Sequence, residues 1–348
     1  MKPTAKEYYE KRIEEYLKKE DDIYFDSINT LSLIHVKTFK ENTRNAISFF
    51  KNPGKYSNCL RTSELIEELI SVYPEDISQE VKKIFLVKSF NYEIEAAAEF
   101  VSDEYNGYLI TYWEGQNILF HLISILYSEY YDIQDDLYCK NNGKEKKSTL
   151  THEQKRRSYQ RNLITLLNFI HTSQENEFVI HLKPEYNFSS YEDGFMLKLL
   201  NSCIAFVISH EIGHHILKHT SIAENTSIKK FISLPSDFSN NHKLEFEADL
   251  FAAKSLSLLR NTTTYYDEYI VYIAPLLSLS SFGLLFGDST EDSDTHPSIS
   301  KRYLNLAHYI DSDNPAGYNR LIFNTFLFNL FASQAKNSEI EKWWEIKY

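Results

Sequence analysis

The chain is poor in the residues that bend and break a backbone. Its 348 residues include 9 glycines and 8 prolines, which argues against a turn-rich β architecture, because tight turns draw on both. Tyr (25) and Phe (23) are abundant instead, a mix that favours long helices with aromatic packing. Cysteine is scarce as well. Cys59, Cys139 and Cys203 match no metal spacing, and an odd number cannot form a closed disulfide set. A reducing cytoplasm is the location expected of such a chain. Positive charge is in deficit, 37 Lys and Arg against 49 Asp and Glu, for a net charge of −12. That balance argues against nucleic acid or an anionic membrane as the main partner. There is no internal repeat, and the opening Met1-Lys-Pro-Thr-Ala-Lys-Glu contains no apolar signal core. What remains, 43% hydrophobic and 25% charged, is globular and long enough for one large domain or two.

Taken in order, residues 1–22 alternate Lys and Glu around Tyr9, Ile13 and Tyr16, as a solvated amphipathic helix does. Leu31 to Phe50 reads as a second helix, ended by Asn52-Pro53-Gly54. Ser63 caps a third, which stops before Tyr73-Pro74; Ile77 to Val101 is expected to continue helically. Asn117 to Tyr131 is a largely apolar helix. Lys140 to Arg157 is the one basic stretch, read as a solvated loop turning at Asn141-Asn142-Gly143, with docking of an acidic partner as the alternative. Phe178-Val-Ile-His-Leu182 is the clearest strand, with His181 structural. Thr220 to Lys243 is a polar loop, and Leu244 to Lys254 an amphipathic helix. Tyr269 to Gly287 carries no formal charge and is long enough to cross a bilayer. Pro275, three serines and acidic flanks favour a buried core helix, broken near Pro275. Ala307 to Tyr348 is helical and aromatic. The expected class is therefore mainly α, with a small edge sheet. The parts are a helical N-terminal region (1–176), a core (177–310) and C-terminal helices (311–348).

One stretch carries the chemistry: Phe206-Val-Ile-Ser-His210-Glu211-Ile-Gly-His214-His215-Ile-Leu-Lys-His219, led into by a largely apolar run from Leu199. His210 and His214 are four apart, so both imidazoles lie on one face within reach of a single ion. Glu211, one position along, can touch a water on that ion without binding the metal. This is the H-E-x-x-H pattern of a zinc hydrolase.

Two histidines do not complete a catalytic zinc site; three protein ligands and a water do. His219 lies nine residues from His210, about 180° around an ideal helix, so it points away unless the helix breaks. His215 is turned about 100° from His214 and also misses. Leu217 and Thr220 stand where the metzincin pattern needs Gly and His. Glu245 and Glu247 remain. Glu245 shares a helix face with Asp249, so one carboxylate can bind the metal while the other orients a ligand histidine through its second nitrogen. Glu247 points the other way, towards Phe251. The expected set is His210, His214 and Glu245 as ligands of one Zn²⁺, with Asp249 behind them.

His-Glu-x-x-His followed by Glu245-Phe-Glu-Ala248-Asp249 resembles the gluzincin metallopeptidases, most of all the M48 type. Thr295-His296-Pro297 with Arg302 resembles that type's His-Pro-x-x-x-x-Arg segment. By that resemblance His296 or Arg302 is the candidate donor to the oxyanion, beside Glu211 as catalytic base. The resemblance spans about Leu197 to Leu306. Two narrower families share parts of it. Lit-type phage-exclusion peptidases carry a longer motif that His210, Glu211, His214 and His219 fit. ImmA/IrrE-type regulatory peptidases, which cleave a repressor, resemble Glu245, Ala248, Asp249, Phe251 and Ala252.

The resemblance implies a cytoplasmic zinc-dependent endopeptidase acting on a protein substrate, in phage defence or as a toxin. It also implies an activating or inhibiting protein partner. The other class of reading, a non-catalytic zinc-stabilised binding module, would want four protein ligands and leave Glu211 without a purpose.

Overall fold

A computed structural model describes residues 2–9, 11, 62–89, 94, 96–99, 101, 104–143, 150–174, 190–219, 240–260, 268–286, 292, 296–313 and 317–334. Mainly α with a small three-stranded sheet, it has the class that the scarcity of Gly and Pro leads one to expect. Two compact units are formed: Met1–Gln116 with His214–Lys229, and Asn117–Gly213 with Lys230–Tyr348.

In the first unit a capping box opens the helical residues 5–9. The Thr4 N–H donates to Glu7 Oε2 (2.6 Å), and the Glu7 N–H to Thr4 Oγ1 (3.3 Å). Helix α1 (Thr62–Val72) ends at Tyr73-Pro74, and Pro74 caps α2 (Glu75–Val81). The buried Ser78 hydroxyl ties the two, donating to the Ile70 and Tyr73 carbonyls.

The helix expected from Ile77 to Val101 stops at Val81, and two strands replace the rest: β1 (Ile84–Ser89) and β2 (Ala96–Glu99). Both pair with β3 (Tyr108–Trp113), β1 in parallel and β2 antiparallel. Ile84-Phe85-Leu86-Val87 is β-branched and aromatic, a run that suits a pleated surface. Ala96-Ala-Ala is a good helix former, but its ladder to Tyr112, Thr111 and Ile110 overrides that preference. Gly107 (φ 111°) feeds β3, and a Cβ there would lie 2.4 Å from the Lys83 carbonyl oxygen, so only glycine serves.

The second unit holds most of α3 (Glu114–Asn141), α4 (His152–Gln174) and most of α5 (Ser190–Ile216). It also holds α6 (Asn240–Leu259), α7 (Glu268–Phe286), α8 (Ile299–Asp313) and α9 (Gly317–Gln334). Aromatic rings join these helices. Tyr127 of α3 meets Phe323 and Phe326 of α9 edge-on, at 5.5 and 5.0 Å between centroids. Such a pair contributes about 0.5–1.5 kcal/mol beyond the area it buries.

Helix α7 lies against α4, α6, α8 and α9. It runs unbroken through Pro275, correcting the break expected there. Ser278, Ser280 and Ser281, fully buried, donate to carbonyls four residues back and so satisfy their own hydroxyls. Among the described helices one stretch, Gly194–Ile216, is long and apolar enough to cross a membrane; it lies in α5 and is mostly buried.

The basic stretch is not all solvated. Lys155 is buried and paired with Asp132 and Asp136 of α3, the latter at 2.6 Å. Gly143 (φ 66°) ends the turn after α3. The strand expected at Phe178–Leu182, with His181, lies outside the described residues, as does the polar loop up to residue 239. Helix α6 starts at Asn240, four residues before the expected Leu244.

Candidate active site

Three helices supply the site. Helix α5 is apolar almost all round and buried, so the polar residues it carries near its end stand out by their cost. His210 and Glu211 are both buried there, and Ser209 beside them is fully so. Gly213 lets α6 come close. A Cβ at that position would meet the Ala248 Cα and the Phe251 Cβ at 3.3 Å each, tighter than ordinary contact. That approach brings the α6 face bearing Glu245 and Asp249 to the α5 face bearing His210.

His210, His214 and Glu245 each offer one ligand atom, and those atoms all lie within 4.8 Å of one another. Among the described residues this is the group of histidine, cysteine and carboxylate side chains that can hold a metal ion. Two imidazoles and a carboxylate are the donor set of a catalytic zinc site, so the residues present fit that ion. Their second partners fit too. His210 Nδ1 lies 3.0 Å from Asp249 Oδ1, which leaves Nε2 facing Glu245 at 3.5 Å. That is the carboxylate–histidine arrangement that turns a ligand ring towards its metal. Burial lowers the His210 pKa, but hydrogen bonds to Asp249 and Glu245 outweigh it and raise the value to about 10.

Arg302, in the first turn of α8, completes the cluster. Its Nε and Nη2 donate to the two Asp249 oxygens at 2.8 and 2.7 Å, and Nη1 lies 3.1 Å from Glu245 Oε2. A fork with two parallel bonds is the strong geometry for an arginine and a carboxylate. Burial pushes the Asp249 pKa up, yet the guanidinium and the His210 ring together hold it below the usual carboxylate value. Sequence reading placed Arg302 at the oxyanion. In the structure all three of its nitrogens face carboxylates, contacts that nothing in the sequence signals.

His296 is largely exposed, 60% by side chain, with Nε2 3.5 Å from Glu245 Oε1. Its turn is held from behind, where the Ser298 N–H donates to Asp292 Oδ1 at 2.9 Å. Glu247 stays out of the cluster, 3.9 Å from Lys243 one helical turn back. His215 is also outside it. Nε2 contacts the Leu109 carbonyl of β3 at 2.9 Å, and the ring stacks on Tyr108. Burial pulls its pKa down to about 4, so the ring is neutral and acts as a strut between α5 and β3. His219 is not where an ideal helix would carry it, because the helix ends at Ile216.

A family model described as Peptidase U49 matches residues 117–320, more than half of the chain. The match begins inside the region that sequence reading assigned to the N-terminal part. No curated protein matches the chain, and no solved structure does.

Proposed function

Because the chain belongs to the Peptidase U49 family, it is a peptidase, and we propose that it is a zinc-dependent endopeptidase acting on a protein substrate. The observation that carries this reading is the convergence of His210, His214 and Glu245 on one point, with Glu211 next to the first ligand. His210 and His214 would hold the ion from one face of α5, and Glu245 would close the set from α6. When bound, zinc supplies Lewis acidity that acidifies a water and polarises the scissile carbonyl.

The chain's own residues do the rest. Glu211 takes a proton from the attacking water and hands it to the leaving amine, the two halves of general acid–base catalysis. Asp249 holds the His210 ring in place, and Arg302 holds Asp249 and Glu245 in turn. His296, exposed beside Glu245, is the donor we assign to the developing oxyanion.

A protease inside a cell harms its host unless gated. We place its work in the cytoplasm, on a narrow protein target, with an activating or inhibiting protein partner. Phage defence or toxicity is the role in keeping with the Lit-like spacing of His210, Glu211, His214 and His219. Comparing protein termini in cells that express the chain, with and without phage challenge, tests this reading. New termini should appear with the wild-type chain and, in an extract, should cease with a zinc chelator and return with added zinc. Termini that form equally in chelator would contradict zinc dependence.

A further inference from the structure

Helix α5 ends in a Schellman turn. The His219 N–H donates to the His214 carbonyl at 2.8 Å and the Lys218 N–H to the His215 carbonyl at 3.2 Å, the nested pair that defines the motif. Lys218 takes the left-handed conformation (φ 64°) that glycine usually fills. A side chain there costs about 1–2 kcal/mol, and this one has contacts that offset the cost. Lys218 Nζ donates to the Tyr108 hydroxyl, sits over its ring and lies 3.8 Å from Glu80. The turn folds the chain back on the last turn of α5, where the His219 ring meets His214 edge-on. The ring centroids are 5.1 Å apart, and Nδ1 faces Nδ1 at 3.0 Å.

We propose that His219 is a positioning residue for His214, acting through its ring and not as a zinc ligand. The inference rests on the zinc reading above and deepens it. Two facing Nδ1 atoms share one proton. A His214 ring that offers Nε2 to a cation carries its proton on Nδ1, so His214 donates and His219 accepts. His219 then keeps its own proton on Nε2. This pairing fixes the tautomer and rotation of the His214 ring, as Asp249 does for His210. A neutral imidazole does so without adding a negative charge to a cluster that already holds Glu211, Glu245 and Asp249.

Chelator competition tests this by measuring zinc affinity in the wild type and in His219→Ala, His219→Asn and Glu245→Ala. His219→Ala should still take one zinc per chain at saturation, but about 10–100-fold more weakly. His219→Asn places an acceptor oxygen near the lost Nδ1 and should recover most of that loss. With cobalt(II) in place of zinc, the visible absorption bands should shift in the alanine variant and return in the asparagine one. Unchanged affinity and an unchanged cobalt spectrum in His219→Ala overturn the proposal. So does loss of the zinc itself in His219→Ala while Glu245→Ala keeps it, since His219 would then be a ligand. A wild-type chain that takes up no zinc removes the zinc reading as well, whereas a failure confined to the His219 variants leaves it standing.

Discussion

Replacing Glu211 with Gln leaves the zinc in place and slows cleavage by about 10²- to 10⁴-fold. The two side chains have the same length and shape, so the buried position on α5 is filled as before. What changes is proton affinity: an amide cannot accept the proton of the attacking water. Glu211 is next in sequence to a ligand but lies outside the ligand group, so metal content and activity should separate in this variant. Zinc per chain and the rate at which a terminus made by the wild type appears are the two measurements. A variant that cleaves within about threefold of wild type would remove Glu211 as the base. One that loses its zinc would make Glu211 a ligand.

Arg302→Ala should cost the zinc-free protein about 3–5 kcal/mol, the range for stripping one partner from a buried ion pair. Without the guanidinium, Asp249 (0% exposed) and Glu245 (7%) lie close together in a buried site. His210 is then the cation left between them. Total stability is of the order of 5–15 kcal/mol, so the loss takes a large part of it. Arg302→Lys should lose less, because it keeps the charge but not the fork that holds both Asp249 oxygens. Saturating zinc should narrow the deficit by restoring positive charge beside Glu245. Denaturant midpoints with and without zinc measure each step. A loss under about 1 kcal/mol in the zinc-free state would mean that the pair is screened like a surface salt bridge.

The grouping of His210, His214 and Glu245, which could hold a metal ion, was legible because its logic is local. His210 and His214 share a face through a spacing of four, and so do Glu245 and Asp249, and both spacings survive in the structure. What was not legible depends on one element meeting another. The sequence shows Arg302 six residues after His296, but not that α8 turns its fork onto Asp249. His219 was set half a turn away on the premise that α5 continues. A glycine at position 218 would have announced the stop, but lysine stands there in the glycine conformation and hides it. Ala96-Ala-Ala misled in the opposite sense, since its helical preference yields to the β3 ladder. Pro275 suggested a break in α7, but the helix runs through it, packed against α4, α6, α8 and α9.

The most direct measurement is the zinc content of purified chain by elemental analysis, for the wild type, Glu245→Ala and Glu247→Ala. One zinc per chain in the wild type and in Glu247→Ala, with loss in Glu245→Ala, is the predicted result. A wild type without zinc, or full occupancy in Glu245→Ala with loss in Glu247→Ala, would contradict the site described above.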